Sequence, residues 1–375
     1  MKVRHVHKLK KMSTFALMYG YQSLQDYIFL MLYGGVAMFT FAVGIYLWLR
    51  RANAIAPAIT PPYALRLWTA AFFIMAALSH VWWYVFGVHW LTDDRLIRNI
   101  ITITLDRITL VPLMMAVLLS VLQDRRHRLW PWVLAHVPIV VMAVVGIAKH
   151  EPFYLYELVD YWQIAVIFVF IVYYIYVLLK YNRWLLENYA DLEHKEVWQS
   201  MLLVTVLSVV YEIYTTNAGE SAKEYLAQFA TLLIVGFLLW RVETLQQLDP
   251  IDEEKEEEPK GIDIGTLLKQ NCEDKQYYLQ HDLTLQQLAT IIGTNRTYLS
   301  AYFAQQGITY NSYINRLRIE HFMRLHRKNR EILQTATAAT LAQRCGFHSY
   351  STFSAAFKNY TGSTVTAWMK AEESR

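Results

Sequence analysis

Seven long apolar windows dominate the first 245 residues of the chain. They cover residues 27–49, 65–86, 99–122, 129–148, 159–180, 199–217 and 225–242. A helix that crosses the hydrocarbon core of a bilayer, about 30 Å thick, needs about 20 largely apolar residues, because each residue adds about 1.5 Å. The third window is the weakest, since Asp106 and Arg107 interrupt it. The sequence predicts a transmembrane domain over residues 27–242, a polytopic helical bundle of about seven spans.

The composition indicates a second region of different character. Of 375 residues, 55% are hydrophobic and 18% are charged, which is too apolar for a soluble globular protein and too polar for a chain that lies in the membrane throughout. The only cysteines, Cys272 and Cys345, lie in the polar part and form no CxxC pair. Because no His/Cys cluster has metal-ligand spacing either, we expect no disulfide framework, no metal and no cofactor, and the cysteines fit a reducing cytosol.

The orientation follows from the loops that carry the positive excess. With the C-terminus in the cytoplasm, seven spans place three basic loops there: one with Arg50, Arg51 and Arg66, the loop 124–128, and one with Lys180, Arg183 and Lys195. The basic N-terminal tail, residues 1–26, disagrees, because this topology places it outside. Either the third window does not span and there are six helices, or the natural start is later, at Met12 or Met18. We favour the later start, since six spans would move Arg50, Arg51 and Arg66 outside.

Ionisable residues inside the apolar windows are a further candidate site. They are His80, Asp106, Arg107, His136 and Glu212. Charged groups in a bilayer are costly and often mark function, so these side chains could line a polar pocket. The simpler interpretation is that Asp106 pairs with Arg107 or a neighbouring helix, that the histidines are neutral and satisfied inside the bundle, and that Glu212 lies near a boundary.

Residues 243–264 read as an acidic linker. From Glu243 to Pro259 there are eight acids against Lys255 alone, a net charge of about −7. Such a segment is expected to be a solvated tether, extended or loosely helical. Its charge could also repel DNA phosphate or cover the basic domain that follows, but a plain tether is the preferred interpretation.

The C-terminal region contains an internal repeat. Residues Leu288–Phe303 and Leu341–Phe357 both begin with Leu-Ala, carry a glycine five residues after that leucine, and continue with apolar residues at helical spacing. In the first copy Thr284 is a good N-cap and Gly293 permits a sharp turn. This pattern predicts two helix-turn-helix units.

The outer face of each second helix is polar and short. The residues are Asn295, Arg296, Thr297 and Ser300 in the first unit and Ser349, Tyr350, Ser351 and Ser354 in the second. Such a surface suits a helix that enters a major groove about 12 Å wide. A helix over Tyr310–Arg330 is expected to join the units, with its basic residues on a polar surface: Arg316, Arg318, Arg324, Arg327, Lys328 and Arg330. From Gly261 onward thirteen lysines and arginines face eight acids, a net charge of about +5 that suits phosphate contact.

Residues 265–370 resemble the DNA-binding domain of AraC/XylS-type bacterial transcription regulators. The resemblance is carried by Leu285–Phe303, by YINRLRIE (Tyr313–Glu320) and by LAQRCGF…STFSAAFKNYTGST (Leu341–Thr364). It implies two helix-turn-helix subdomains on one long helix, reading adjacent major-groove segments. It would make Thr297, Ser300, Ala301, Tyr350, Ser351, Ser354 and Ala355 base-facing, and Asn295, Arg296 and Lys358 phosphate contacts. Ala301 and Ala355 are smaller than the family's usual residues there, and Val365 replaces a frequent proline.

These observations predict an all-α protein with a transmembrane bundle and a cytosolic double helix-turn-helix domain over residues 265–375. We expect a membrane-embedded, sequence-specific transcription regulator of the bacterial cytoplasmic (inner) membrane, with the bundle as sensor or anchor, and not an enzyme. The partners would be double-stranded DNA, the lipid bilayer and an unidentified signal ligand, with RNA polymerase and a second copy of the chain as further candidates. Alternatively, the bundle is a transporter or small-ligand receptor whose C-terminal domain reports occupancy. Proteolytic release of that domain at the linker also stays open, whereas an intramembrane enzyme lacks its usual motifs.

Overall fold

The computed structural model describes residues 24–87, 95–149, 152–198, 200, 206, 221–248, 263–331 and 336–373. Within these ranges the protein is helical, and the single β-type contact is an isolated antiparallel bridge between Tyr189 and Thr284. The all-α class is therefore confirmed. The chain divides into two compact units: Met1–Val121 with Arg126–Tyr174 and Gln199–Gln247, and Leu122–Arg125 with Ile175–Trp198 and Leu248–Arg375.

Among the described residues, seven helices lie wholly or partly in the first unit. They are α1 (Leu24–Leu49), α2 (Tyr63–Gly87), α3 (Arg95–Val121), α4 (Trp130–Leu134), α5 (Val137–Ala148), α6 (Pro152–Asn188) and α7 (Ser221–Thr244). Helix α6 begins in the first unit and ends in the second. Many large apolar side chains of these helices face outward, including Met31 at 78% exposure and Leu49 at 74%. Such faces suit lipid rather than water.

Six segments of the described residues are long and apolar enough to cross a membrane. They are Tyr27–Leu49, Tyr63–Trp83, Ile100–Val121, Trp130–Ala148, Glu157–Asn188 and Glu224–Thr244. They coincide with six of the seven predicted windows, including the weak third one, which is helical in spite of Pro112. The remaining window, 199–217, lies outside the described residues apart from residues 200 and 206.

A buried ion pair joins the α1–α2 region to the end of α7. Arg66 Nη2 donates to Glu243 Oε1 at 3.0 Å, and the same carboxylate oxygen accepts from Tyr46 Oη at 3.1 Å. Glu243 was counted among the acids of a solvated linker, but it lies in the last turn of α7 and is 1% exposed. Leu245 and Leu248 are buried as well, so these residues do not belong to a solvated tether. Residues 249–262 lie outside the described part of the chain.

The second unit contains the remaining helices. They are α8 (Ile264–Leu268), followed by a π-helical turn (Lys269–Glu273) and a 3₁₀ turn (Tyr277–Leu279), then α9 (Leu285–Ile292), α10 (Arg296–Gln305), α11 (Tyr310–Glu331), α12 (Ala338–Arg344), α13 (Tyr350–Thr361) and α14 (Val365–Glu373). Two apolar cores form here. Leu288, Leu299 and Phe303 lie in the first core, and Phe353 and Phe357 lie in the second. Helix α11 contributes residues to both cores and so joins them within this unit.

Candidate nucleic-acid interface

Helices α9 and α10 form the first helix-turn-helix unit. Thr284 and Gln287 form a reciprocal capping box at the start of α9, which satisfies two backbone N–H groups that a helix leaves unpaired. Gly293 ends α9 with a φ of 79°, the left-handed conformation that glycine adopts without strain. Asn295 then caps α10 by accepting from the Tyr298 N–H at 3.0 Å. The predicted cap, turn and second helix are all observed.

Helices α12 and α13 form the second unit by the same local rules. Thr337 caps α12, Gly346 turns the chain with a φ of 90°, and Ser349 caps α13 by accepting from the Thr352 N–H at 3.3 Å. Phe353 and Phe357 are fully buried and anchor α13 in the second core. The two copies of the repeat therefore fold into the same motif.

Helix α11 joins the units, but one of its basic residues does not lie where the sequence indicated. Arg318 was expected on the polar surface, and instead it is fully buried. Its Nε donates to the Tyr278 carbonyl and its Nη2 to the Gln280 carbonyl, both at 2.7 Å. Position 318 lies four residues after Ile314 and four before Phe322, so it shares the apolar face of the helix. Burial lowers the pKa of this guanidinium from its usual value.

The other described basic residues of α11 lie on the surface as predicted. Arg316, Arg324, Arg327 and Lys328 are exposed. Arg327 donates to both Glu372 carboxylate oxygens, at 2.9 and 3.1 Å. Arg327 is exposed, whereas Glu372 is buried, so this ion pair lies at the edge of the domain.

The predicted base-facing side chains lie on the outer faces of α10 and α13. Thr297, Ala301, Tyr350, Ser351 and Ala355 are exposed, whereas Ser300 and Ser354 are half-buried. Lys358 is exposed one turn further along α13, and Arg296 is half-buried in the first turn of α10. Asn295 and Ser349 have a structural role as caps. Contact of these residues with DNA stays a prediction.

Sequence reasoning missed a segment that lies against both units. Arg296 Nε donates to Asn188 Oδ1 at 2.8 Å, and Thr352 Oγ1 donates to Glu193 Oε2 at 3.3 Å. Asn311, at the start of α11, donates to the carbonyls of Tyr189 and Ala190. The sequence places Lys195 in a basic cytoplasmic loop, and no motif in residues 188–195 indicates these contacts.

The ionisable residues of the apolar windows have protein partners where they are described. His80 Nε2 lies 3.1 Å from Gln228 Oε1, and His136 Nδ1 lies 2.7 Å from the Trp132 carbonyl. Arg107 pairs with Asp160, and Glu212 lies outside the described residues.

Asp106 accepts three hydrogen bonds. They come from Ser79 Oγ at 2.6 Å, Trp83 Nε1 at 2.7 Å and Trp82 Nε1 at 3.1 Å. The pairing of Asp106 is therefore with α2 rather than with Arg107. That all five ionisable residues line one pocket stays a prediction.

Neither a metal site nor a reactive thiol emerges from the described residues. No group of three or more His, Cys, Asp or Glu side chains there is arranged to hold a metal ion. Cys272 and Cys345 are both free and buried, one in each core of the second unit. Burial raises the pKa of each thiol to about 12, so both are protonated at neutral pH.

The geometry defines a double helix-turn-helix domain, with two similar units built on one joining helix. Residues 288–371 match the family described as "Helix-turn-helix domain", and this region is a helix-turn-helix domain of the AraC type, a class found in DNA-binding transcription regulators. The match covers most of the first unit and all of the second. Comparisons with curated proteins and with solved structures gave no match.

Proposed function

We propose that this protein is a sequence-specific transcription regulator that binds promoter DNA while embedded in the bacterial cytoplasmic membrane. The observation that carries the proposal is the pair of helices α10 and α13, which expose polar side chains on their outer faces. The two helix-turn-helix units that contain them are joined by α11. Two such helices can read two groove segments, and the basic balance of the domain suits the phosphate backbone. The six apolar helices support membrane embedding.

In this proposal the residues have distinct roles. Thr297, Ser300 and Ala301 of α10 face the bases of one groove segment. The corresponding residues of α13 are Tyr350, Ser351, Ser354 and Ala355. Arg296 and Lys358 contact phosphate, and Asn295 and Ser349 orient the helices as caps. The helical bundle detects the signal and changes DNA affinity, and RNA polymerase and a second copy of the chain are partners at the promoter.

Genome-wide crosslinking of the intact, membrane-resident protein tests this function. We expect discrete sites that disappear in a Tyr350→Ala, Ser351→Ala double variant, because both side chains are exposed on the outer face of α13. A Gln343→Ala variant is the matched control, since Gln343 is exposed on α12, outside the recognition helices. If the intact protein enriches no sites, or if the double variant retains them all, the proposed DNA reader is wrong.

A second candidate function is a transporter or small-ligand receptor in the bundle. It is favoured by Gln163 on α6, which is fully buried while its amide oxygen and nitrogen have no hydrogen-bond partner among the described residues. A bound ligand would satisfy such a group. Uptake by a protein lacking residues 246–375, lost on Gln163→Leu substitution, would support this function. Equal uptake by the variant, or no uptake, would count against it.

A further inference from the structure

The segment that follows α6 makes a continuous set of contacts with the DNA-binding domain. We call residues 188–195 the clasp. The Ala190 N–H donates to the Leu283 carbonyl at 3.2 Å, beside the Tyr189–Thr284 bridge. Asn311 Nδ2 donates to the Tyr189 carbonyl at 3.1 Å and to the Ala190 carbonyl at 2.9 Å. Ala190 is 2% exposed and belongs to the first apolar core. The clasp is thus docked by backbone pairing and packing as well as by surface side chains.

The clasp also contacts the first turn of both recognition helices. Asn188 accepts from Arg296, the first residue of α10, and Glu193 accepts from Thr352, the third residue of α13. The first turn of a helix is where unpaired N–H groups and the helix dipole favour an anion, and a recognition helix uses it to meet DNA phosphate. One short segment therefore engages the same end of both helices.

The clasp brings two carboxylates, Glu193 and Asp191, close to the start of α13. The Asp191 carboxylate is almost fully buried and lies 3.9 Å from His348 Nε2, which also lies 2.9 Å from Asp282 Oδ2. Lys195 Nζ donates to the other oxygen of Asp282 at 3.1 Å. Burial opposes ionisation of Asp282, but Lys195 and His348 together lower its pKa below the ordinary value. Asp191 and Asp282 thus place two carboxylates beside His348, which lies two residues before α13.

The clasp leaves the base-reading faces open. Thr297 on α10 and Tyr350, Ser351 and Ala355 on α13 are exposed while the clasp is docked. Its effect therefore falls on phosphate contact rather than on base recognition. The docked clasp occupies Arg296, and its Asp191 and Glu193 carboxylates repel phosphate. Together these effects should weaken DNA binding about tenfold without abolishing it.

We propose that the clasp is a built-in competitor of DNA: Asn188 holds Arg296, Glu193 holds Thr352 in the first turn of α13, and DNA phosphate displaces both contacts. The inference rests on the proposed function. The clasp begins at Asn188, the last residue of α6, and residues 157–188 of that helix form a candidate membrane span. A signal that displaces the end of α6 would pull the clasp away and raise DNA affinity.

A reversible crosslink tests the competition. The full-length Glu193→Cys, Thr352→Cys variant, in lipid nanodiscs, is joined with a short, reducible bifunctional thiol reagent, and its affinity for a fluorescent random-sequence DNA duplex is measured. The native cysteines do not interfere, because both are buried and protonated. We expect about tenfold weaker binding in the crosslinked form and full recovery after reduction. Excess DNA should also slow the crosslinking reaction.

A matched pair of cysteines controls for the crosslink itself. Tyr360 donates to Glu320 at 2.9 Å on an exposed surface between α13 and α11, away from the clasp. A crosslinked Glu320→Cys, Tyr360→Cys variant should bind DNA as its reduced form does. A single Glu193→Gln substitution should raise affinity several-fold, since it removes one competing charge.

The outcomes separate the two proposals. Equal or tighter DNA binding by the crosslinked clasp overturns the competition and leaves the proposed function intact. The absence of DNA binding in the crosslinked, reduced and Glu193→Gln proteins alike overturns the proposed function, and the clasp's role with it.

Discussion

Replacing Arg318 by alanine is expected to destabilise both helix-turn-helix units together. The guanidinium is buried on α11 and donates to the Tyr278 and Gln280 carbonyls, in the segment that leads into the first unit. On its other side the Arg318 Cζ atom lies 5.5 Å from the centroid of the Phe347 ring, in the second core. One side chain therefore supports both units.

The size of the effect follows from these contacts. Each carbonyl that loses its donor inside the protein costs about 1–3 kcal/mol, and the truncated side chain leaves a cavity beside Phe347. Removal of a buried charge offsets part of this cost. We therefore expect a net loss of about 3 kcal/mol, which raises the equilibrium population of opened molecules by roughly a hundredfold.

The two cysteines report the opening of each core separately. Cys272 lies in the first core and Cys345 in the second, and the chain contains no other cysteine. Because each thiol reacts only after its core opens, the labelling rate of each cysteine in full-length protein, read by peptide mass spectrometry, follows the opening equilibrium. We expect Arg318→Ala to accelerate labelling of both cysteines roughly a hundredfold.

The control is Arg316→Ala, two residues away on the exposed side of the same helix. It should change labelling by no more than about twofold, because surface substitutions cost within about 0.5 kcal/mol. If Arg318→Ala leaves both rates within the same limit, the buried hydrogen bonds do not stabilise the domain. If only one cysteine is accelerated, Arg318 supports one unit and the argument for joint support is refuted.

Three further predictions concern other parts of the protein. Glu243→Ala should lower the stability of the detergent-solubilised protein by about 3–5 kcal/mol, because Arg66 becomes a buried charge without its carboxylate. Arg51→Ala, at an exposed site, is the control, and equal melting temperatures of the two variants would contradict this prediction. Burial and the charge of Arg324 lower the pKa of His321, so the folded domain binds fewer protons than the unfolded chain and loses stability as the pH falls below about 6.5. His321→Gln should flatten the pH dependence of the cysteine labelling rates, normalised to an unfolded peptide. An unchanged slope would exclude this histidine as the source of the dependence. Gly346→Ala should destabilise the domain more than Gly362→Ala, since both glycines have positive φ but only the first would place a Cβ 2.7 Å from a backbone oxygen, that of Leu279; equal melting temperatures of the two variants would argue against this close approach.

The sequence predicts the local features of this protein well because their causes are local. The apolar windows, the Thr284 cap and the Gly293 turn depend on residues that are near neighbours in the chain. The described residues contain six of the seven windows, the cap and the turn. The internal repeat also separates the two units correctly, since the same cap and turn residues recur in the second copy.

Contacts between residues that are far apart in the chain could not be predicted from the sequence. Arg318 reads as a surface residue by type, and only the apolar stripe at positions 314, 318 and 322 hints at its burial. Glu243 belongs by composition to an acidic run, but its partner Arg66 lies 177 residues away. The contact between Asn188 and Arg296 spans 108 residues, and neither residue type indicates the other. Contacts of this kind follow from the fold as a whole rather than from any window of sequence.

The shared role of α11 in both cores has a consequence for the DNA that this protein can read. Because α11 packs into both cores, it fixes the distance and the angle between α10 and α13. The spacing of two groove segments that one copy can contact is therefore fixed as well. In the proposed complex, inserting about five base pairs, half a turn of B-DNA, between the two groove segments would turn one of them to the opposite side of the duplex. A single copy would then hold only half of its site, and inserting a full turn would restore the face but not the distance.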